Sequence, residues 1–162
     1  MADDPLTHFD EAGQARVVAI DAKAETPRRA VASARVRMAP ATLARIQAGE
    51  VGKGDVLNVA RIAAIQATKT TPHTIPLCHP VRVTAVDVRF EVLPDLPGVG
   101  AIVEVAAHDR TGPEMEAMHA ASVAALTIYD MCKAMDRAMA IEAVLLLEKS
   151  GGKSGHWTRP GE

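Results

Sequence analysis

Val81-Arg-Val-Thr-Ala-Val-Asp-Val-Arg-Phe-Glu-Val92, then Leu93-Pro-Asp-Leu-Pro-Gly98, then Val99-Gly-Ala-Ile-Val-Glu-Val-Ala-Ala107 is the stretch whose reading decides the fold. Apolar residues recur at every second position in the two outer runs, the period of a half-buried strand. The first run slips in phase: Val81, Val83 and Ala85 share one parity, while Val86, Val88, Phe90 and Val92 share the other. A bulge near Ala85 accounts for the slip. The middle run, with two prolines and a glycine, is a turn, so the whole stretch reads as a hairpin.

Beyond the hairpin, Glu114-Met-Glu-Ala-Met-His-Ala-Ala-Ser-Val-Ala-Ala-Leu-Thr-Ile-Tyr-Asp-Met-Cys-Lys133 changes period to that of a helix. Between Glu116 and Asp130, thirteen residues carry no formal charge. A helix that is apolar on every side is a buried helix. Asp130 and Lys133 then stand in a run of Ala, Leu, Ile and Met. Ionised groups on a buried helix have to be paired, neutralised or used. An ordinary i,i+3 ion pair and a catalytic pair are both open at this point. Ala140 to Leu147 follows as a last strand.

Before the hairpin, Arg16 to Asp21 is a short strand candidate. Ala30 to Met38 alternates cleanly, with Ala32, Ala34, Val36 and Met38 on one face and Ser33, Arg35 and Arg37 on the other. Pro40 opens a short helix carrying Leu43 and Ile46, and Gly49 stops it. Asp55 caps a second helix, with Val56, Val59, Ala60, Ala63 and Ala67 at helical spacing and Thr71-Pro72 as its end. Thr74-Ile-Pro-Leu-Cys-His-Pro80 is pinned by two prolines into an irregular loop. Helices and antiparallel strands mix without a regular βαβ repeat, which makes the fold class α+β.

The chain of 162 residues fits one domain. Residues 1–15 read as a flexible lead-in, 16–155 as the single catalytic domain and 156–162 as a C-terminal tail. Hydrophobic residues are 48% of the chain but aromatics only 2%, so the core is built from Ala, Val, Ile, Leu and Met and needs close backbone approach. A net charge of −2 and the lack of aromatic stacking platforms argue against nucleic-acid or membrane-surface partners. Cys78 and Cys132, the two cysteines, read as free thiols. The acidic, polar Met-Ala-Asp-Asp-Pro start has no apolar signal region, and no uncharged apolar run reaches the ~20 residues that span a bilayer. The expected location is the cytoplasm.

Several groups carry chemistry. Lys149-Ser-Gly-Gly-Lys-Ser-Gly155 fails as a P-loop, because the pattern G-x-x-x-x-G-K-S/T needs glycine where Leu147 stands. What remains is two lysines on a glycine loop whose amides can wrap an anion. Cys78 and His79, adjacent in an extended loop, point to opposite sides, which argues against a shared metal or a Cys–His pair. His79 alone suits acid–base work or phosphate contact. Lys53-Gly-Asp55 sets a lysine beside free helix amides, a reasonable phosphate site. Lys69, Arg28 and Arg29 add further cations. Each has a bland reading by itself; together they point to a polyanionic substrate and proton-transfer chemistry.

Lys53-Gly-Asp55 through Ala60-Arg-Ile-Ala-Ala-Ile-Gln66, Ile75-Pro-Leu-Cys-His-Pro80, Glu114-Met-Glu-Ala117 with Ala121 to Ala134, and Lys149 to Gly155 together resemble the cyclic pyranopterin monophosphate synthase family, the molybdenum cofactor biosynthesis protein C family. The likeness runs from about Asp21 to Gly155. It implies a ferredoxin-like antiparallel sheet packed with helices, and a homohexamer of three dimers with active sites at dimer interfaces. It further implies a lyase that converts 3′,8-cyclo-7,8-dihydroguanosine 5′-triphosphate to cyclic pyranopterin monophosphate with release of pyrophosphate. By motif, Asp130 and Lys133 are the catalytic pair and Lys53 a further catalytic or phosphate-binding lysine. Leu77, Cys78, His79, Met115 and Glu116 line the substrate site, with Glu114, Arg28, Lys69, Lys149 and Lys153 as additional candidates. No resident cofactor is implied, although Mg²⁺ can travel with the triphosphate. Pro113 stands where the family more often has a β-branched residue, which suits a helix N1 position. Leu145 replaces an expected basic residue. Burial of Lys133 would tune its pKa down towards ~7–8 for proton shuttling. Glu116 and Asp130 lie fourteen residues apart, on nearly one helix face but roughly 21 Å apart along it, so one site needs two subunits to use both. The alternative is a non-catalytic nucleotide-binding regulatory subunit with the same cationic pocket.

Overall fold

A computed structural model of the chain describes residues 8–9, 12–93 and 96–161. The elements run β1 (Thr26–Arg37), α1 (Pro40–Ala48), α2 (Val56–Thr74), β2 (Val83–Val92), β3 (Gly98–Asp109), α3 (Glu114–Cys132), β4 (Ala140–Ser150) and β5 (Trp157–Thr158). The strands form one sheet in the order β2-β3-β1-β4-β5 with every pair antiparallel. The β1-helix-β2-β3-helix-β4 succession with central order 2-3-1-4 is the ferredoxin-like arrangement. Each helical crossover skips one strand position: β3 fills the first gap on its return, and β1 already occupies the second.

Local chemistry explains most boundaries. Pro40 starts α1, and Gly49 ends it at φ 70. The α1 N-terminus lacks a cap from Ala39, so Asp136 supplies one, accepting from the Ala39 N–H at 2.8 Å and the Thr42 hydroxyl at 3.3 Å. Asp55 caps α2 by accepting from the Asn58 N–H at 3.0 Å. The β2–β3 register shifts between Val83 and Ala85, which is the expected bulge. Leu93 N–H closes the hairpin on the Gly98 carbonyl at 3.1 Å, while Pro94 and Asp95 of the expected turn lie outside the described residues.

Four readings need correction. Arg16 to Asp21 forms no strand; the described part of the lead-in makes a single bridge, Phe9 to Ala15, and residues 1–7, 10 and 11 lie outside the described residues. Helix α2 runs through Pro72 to Thr74, because a proline in the last turn removes only its own N–H bond and Ile75 N–H still reaches the Thr71 carbonyl at 2.9 Å. Its buried face is Val56, Ala60, Ala64, Ala67, Thr68 and Thr71, with Val59 exposed. Between residues 56 and 67 only Asn58, Arg61 and Gln66 are polar, so apolar spacing alone left the face ambiguous. Strand β4 runs on to Ser150 and β5 follows it. Strand β4 also carries two register shifts against β1: nine residues, Arg29 to Arg37, face eleven, Ala140 to Ser150. Ala143 sits in the first of these at φ 50.

The core lies between the sheet and α2 and α3. Ala30, Ala32, Ala34 and Val36 of β1, Val103 and Val105 of β3, and Ala117, Ala120, Ala121, Ala124, Ala125 and Ile128 of α3 are all fully buried. Alanine on facing surfaces lets α3 settle close to β1, β3 and α2. Helix α3 is nevertheless not buried on every side: Leu126 is 56% exposed, and Asp130 and Lys133 stand at the surface. No helix among the described residues is long and apolar enough to cross a membrane.

This packing leaves no room for growth at the α3 contact. Ala124→Leu is expected to destabilise the fold by about 1–3 kcal/mol through overpacking, read as a lower urea midpoint with an unchanged slope. A midpoint equal to that of the wild type would mean that the helix stands farther from the sheet than described.

Candidate active site

The two ends of α3 carry two different groups of side chains. At the N-terminal end, Thr111-Gly-Pro113 turns β3 into the helix. Pro113 occupies the N-cap rather than N1, with its carbonyl accepting from the Ala117 N–H at 3.0 Å. Glu114 then ion-pairs with Lys149 at 3.0 Å. Lys149 reaches this place because it pairs with Ala30, on the helix-facing side of the sheet. Arg28, two residues earlier on β1, donates from Nε to the Asp109 carbonyl at 3.3 Å and from Nη2 to the Arg110 carbonyl at 3.0 Å. Its neighbour Arg29 faces the other side of the sheet, bonded to Glu104 at 2.6 Å and Glu148 at 2.5 Å, and leaves the site.

These residues surround a cavity of about 560 Å³, within the usual size for small-molecule sites. Lys23, Arg28, Arg110, Lys149 and Lys153 line it, with Glu114 the single acid, and Gly112, Gly152 and Ser154 are among the small residues of the wall. Sequence reasoning missed Lys23 and Arg110. Lys23 lies in an irregular lead-in where no periodicity places it, and Arg110 follows the end of a strand. The available signal was the crowding of Lys23, Arg28 and Arg29 around the start of β1. Arg110 is held by the lead-in, at 3.7 Å from Asp21 and 3.9 Å from Glu25, and Glu25 also pairs with Arg82.

Glu116, in the first turn of α3, is 1% exposed. The Cys78 thiol donates to its Oε1 at 3.9 Å, and its Oε2 has no hydrogen-bond partner among the described residues. Desolvation pushes the Glu116 carboxyl up from 4.5 to about 7. Burial, then the charge of Glu116, pushes the Cys78 thiol up to about 11, so it stays protonated near neutrality and is no nucleophile. The loop presenting Cys78 begins with a turn in which Cys78 N–H bonds the Ile75 carbonyl at 3.1 Å, with Pro76 at its second position. Leu77 and His79 flank it, half-buried, and Met115 is exposed. Lys69 is exposed on α2 and does not line the cavity.

At the C-terminal end, Lys133 Nζ lies 2.6 Å from Asp130 Oδ1, and Lys53 Nζ lies 3.7 Å from Oδ2. Lys53 also donates to the Asp130 carbonyl at 3.0 Å, satisfying one of the orphan carbonyls of the helix end. The negative end of the helix dipole favours both cations. The turn that presents Lys53 closes with Gly54 N–H on the Val51 carbonyl at 2.9 Å, next to the Asp55 cap. Asp130 and Lys133 are more than half exposed, which overturns the expectation of a buried, down-tuned lysine. The hydrogen bond that Lys133 donates to Asp130 raises the Lys133 pKa, and the same bond lowers that of Asp130.

Thus Lys53, Asp130 and Lys133 come together, as do Arg28, Glu114, Lys149 and Lys153, and Glu116 meets Cys78. Helix α3 has 19 residues, which separates its two ends by roughly 28 Å. No group of three or more His, Cys, Asp or Glu side chains with metal-ligand geometry gathers among the described residues. A family model described as the MoaC family matches residues 17–152. The chain is also 54% identical, over 157 residues, to the cyclic pyranopterin monophosphate synthase of Desulfitobacterium hafniense (strain DSM 10664 / DCB-2), an alignment covering 95% of this chain and 94% of that relative.

Burial of Glu116 has a measurable consequence. The folded carboxyl holds its proton to about pH 7, whereas the unfolded one loses it near 4.5. The stability tied to that proton is therefore complete below about pH 4.5 and is lost as pH rises through 7. A shift of this size corresponds to roughly 3 kcal/mol at most. Denaturation of the wild type and of Glu116→Gln from pH 5 to 8.5 is expected to show the wild type losing stability relative to the variant as pH rises. Parallel curves would show that Glu116 ionises like a surface carboxylate.

Proposed function

The chain belongs to the MoaC family, and from that premise we propose that it acts as a cyclic pyranopterin monophosphate synthase. In this reading it converts 3′,8-cyclo-7,8-dihydroguanosine 5′-triphosphate to cyclic pyranopterin monophosphate and pyrophosphate, in molybdenum cofactor biosynthesis. The observation that carries the reading within the structure is the cavity walled by five cations, which suits a triphosphate. Fixed cations there would stabilise the charge that builds on the departing pyrophosphate. Opening the purine five-membered ring and closing the pterin need repeated proton transfers. Glu116, with its proton held to about pH 7, is matched to that exchange near neutrality. Lys53 and Lys133 act as charged acids, positioned by Asp130. His79, Cys78, Leu77 and Met115 border the ring system.

The site is shared between subunits. One nucleotide does not span both ends of α3, so the cavity of one protomer works with Lys53, Asp130 and Lys133 of another, within a homohexamer of three dimers. Exposed apolar residues on the helical layer, Ile62 on α2 and Leu126 on α3, support such an interface. The chemistry calls for no resident cofactor, and Mg²⁺ where present enters with the triphosphate. The free thiols of Cys78 and Cys132 and the nucleotide-derived substrate support a cytoplasmic setting, with neither nucleic acid nor membrane as a partner.

Turnover tests both statements. Lys133→Ala is expected to lose at least ~100-fold in product formation with an unchanged melting temperature. Lys133→Arg should also fall well below the wild type, because arginine keeps the charge but does not release a proton. Full activity of Lys133→Ala would reduce the pair to a surface ion pair. Binding of the cyclic nucleotide without pyrophosphate release in the wild type would make the chain a regulatory subunit. Mixing inactive Glu116→Ala with inactive Lys133→Ala after reversible dissociation should restore part of the activity; confirmed subunit exchange with no recovery would exclude a shared site.

A further inference from the structure

Two glycines follow β4, and an arginine of β1 fills the space that the missing side chain of the second one leaves. Gly151 and Gly152 lie against Pro27 and Arg28, just past the last β1–β4 pair, Arg29 with Ser150. A Cβ on Gly152 would fall under 3.0 Å from Arg28 Nη1, Cζ and Nη2 together, a separation real Cβ atoms do not show. The guanidinium therefore rests directly on the Gly152 backbone. Its other edge is fixed by the Asp109 and Arg110 carbonyls, and the group lines the cationic cavity between these two supports. The Gly152 backbone is also left-handed, at φ +67.

Gly155 lies three residues on, in the same loop, and it separates the two effects. It is left-handed to the same degree, at φ +66, yet a Cβ there would meet nothing within 4 Å. The penalty of a positive φ for alanine is thus shared by the two positions. Only Gly152 bears on Arg28. Because the group it meets is the end of a flexible side chain, a methyl at Gly152 would be relieved by moving the guanidinium rather than by disrupting the sheet.

We propose that Gly152 is a positioning residue for the anion site: the absence of a side chain there seats the Arg28 guanidinium against both the β3 carbonyls and the cavity. The proposal rests on the reading of Arg28 as a ligand for the phosphates of the substrate. It assigns the glycine a role in affinity through a named neighbour, beyond that of loop flexibility.

The test uses the full chain, inorganic pyrophosphate as the calorimetric probe and steady-state turnover of the cyclic nucleotide. Gly152→Ala, Gly155→Ala, Arg28→Ala and the double variant Arg28→Ala/Gly152→Ala are compared. Gly152→Ala should weaken pyrophosphate binding on the order of tenfold more than Gly155→Ala does, the size of a lost charge-assisted hydrogen bond. It should raise KM by a similar factor with a much smaller change in kcat, as loss of uniform binding requires. In the Arg28→Ala background the same substitution should cost no more than Gly155→Ala costs in the wild type. Gly152→Asn, whose residue type tolerates the left-handed region, removes most of the strain and keeps the Cβ; it should behave like Gly152→Ala.

Equal effects of Gly152→Ala and Gly155→Ala, or full additivity in the double variant, would overturn the positioning role. If Arg28→Ala weakens pyrophosphate binding and Gly152→Ala and Gly152→Asn do not, the reading of Arg28 stands and the proposal alone fails. If Arg28→Ala leaves binding untouched, the reading of Arg28 falls and takes the proposal with it.

Discussion

The close approach of α3 to β1, β3 and α2 is the constraint on which the rest of the molecule depends. It exists because the facing positions are alanines, five of them fully buried on α3 alone. Small side chains contribute little apolar area each, so a core with 2% aromatics gains stability only where backbones come close. The same closeness fixes α3 as a rigid strut. Its first turn is pressed against the ends of β1 and β4, and its last turn against the loop that carries Lys53.

The two ends of that strut are electrostatically unlike. At the start, helix amides and a positive dipole favour carboxylates, and Glu114 and Glu116 occupy the first turn. Burial acts against the dipole at Glu116 and prevails, leaving a proton that is exchangeable near neutrality. At the far end, exposure leaves Asp130 and Lys133 fully charged, and each stabilises the ionised form of the other. One end is suited to moving protons and the other to holding charge, a division that neither end shows by itself.

Much of this was legible in the sequence. The hairpin, its bulge, the long helix, the Gly49 stop and the Asp55 cap follow from period and turn residues, because each depends on neighbours within a few residues. The face of α2 was not legible, because nearly every position from 56 to 67 is apolar and the choice among them is made by α3. The exposure of Lys133 was misread for a related reason: a helix that is apolar all round looks buried whether its own fold or another molecule covers it. The cavity was half legible. Lys149 and Lys153 belong to a readable motif and Arg28 stands only as a further cation, whereas Lys23 and Arg110 reach it through ion pairs and chain reversal that leave no periodic trace. The support Gly152 gives to Arg28 is a matter of empty space, and a list of residues does not display empty space.

Strand β4 faces nine residues of β1 with eleven of its own. Its pairing with β1 is regular at both ends, and the surplus is held in two bulges between them. The placement of Lys149 is therefore fixed by its pairing with Ala30 and not by the number of residues that precede it. Loss of one or both surplus residues in the course of evolution would straighten the strand and leave the lysine where it is. Loss of a single residue from β1, which has no slack, would swap the faces of Arg28 and Arg29 and exchange a cavity ligand for a partner of Glu104. Length variation within this family is thus expected to be tolerated in one of two neighbouring strands and purged from the other.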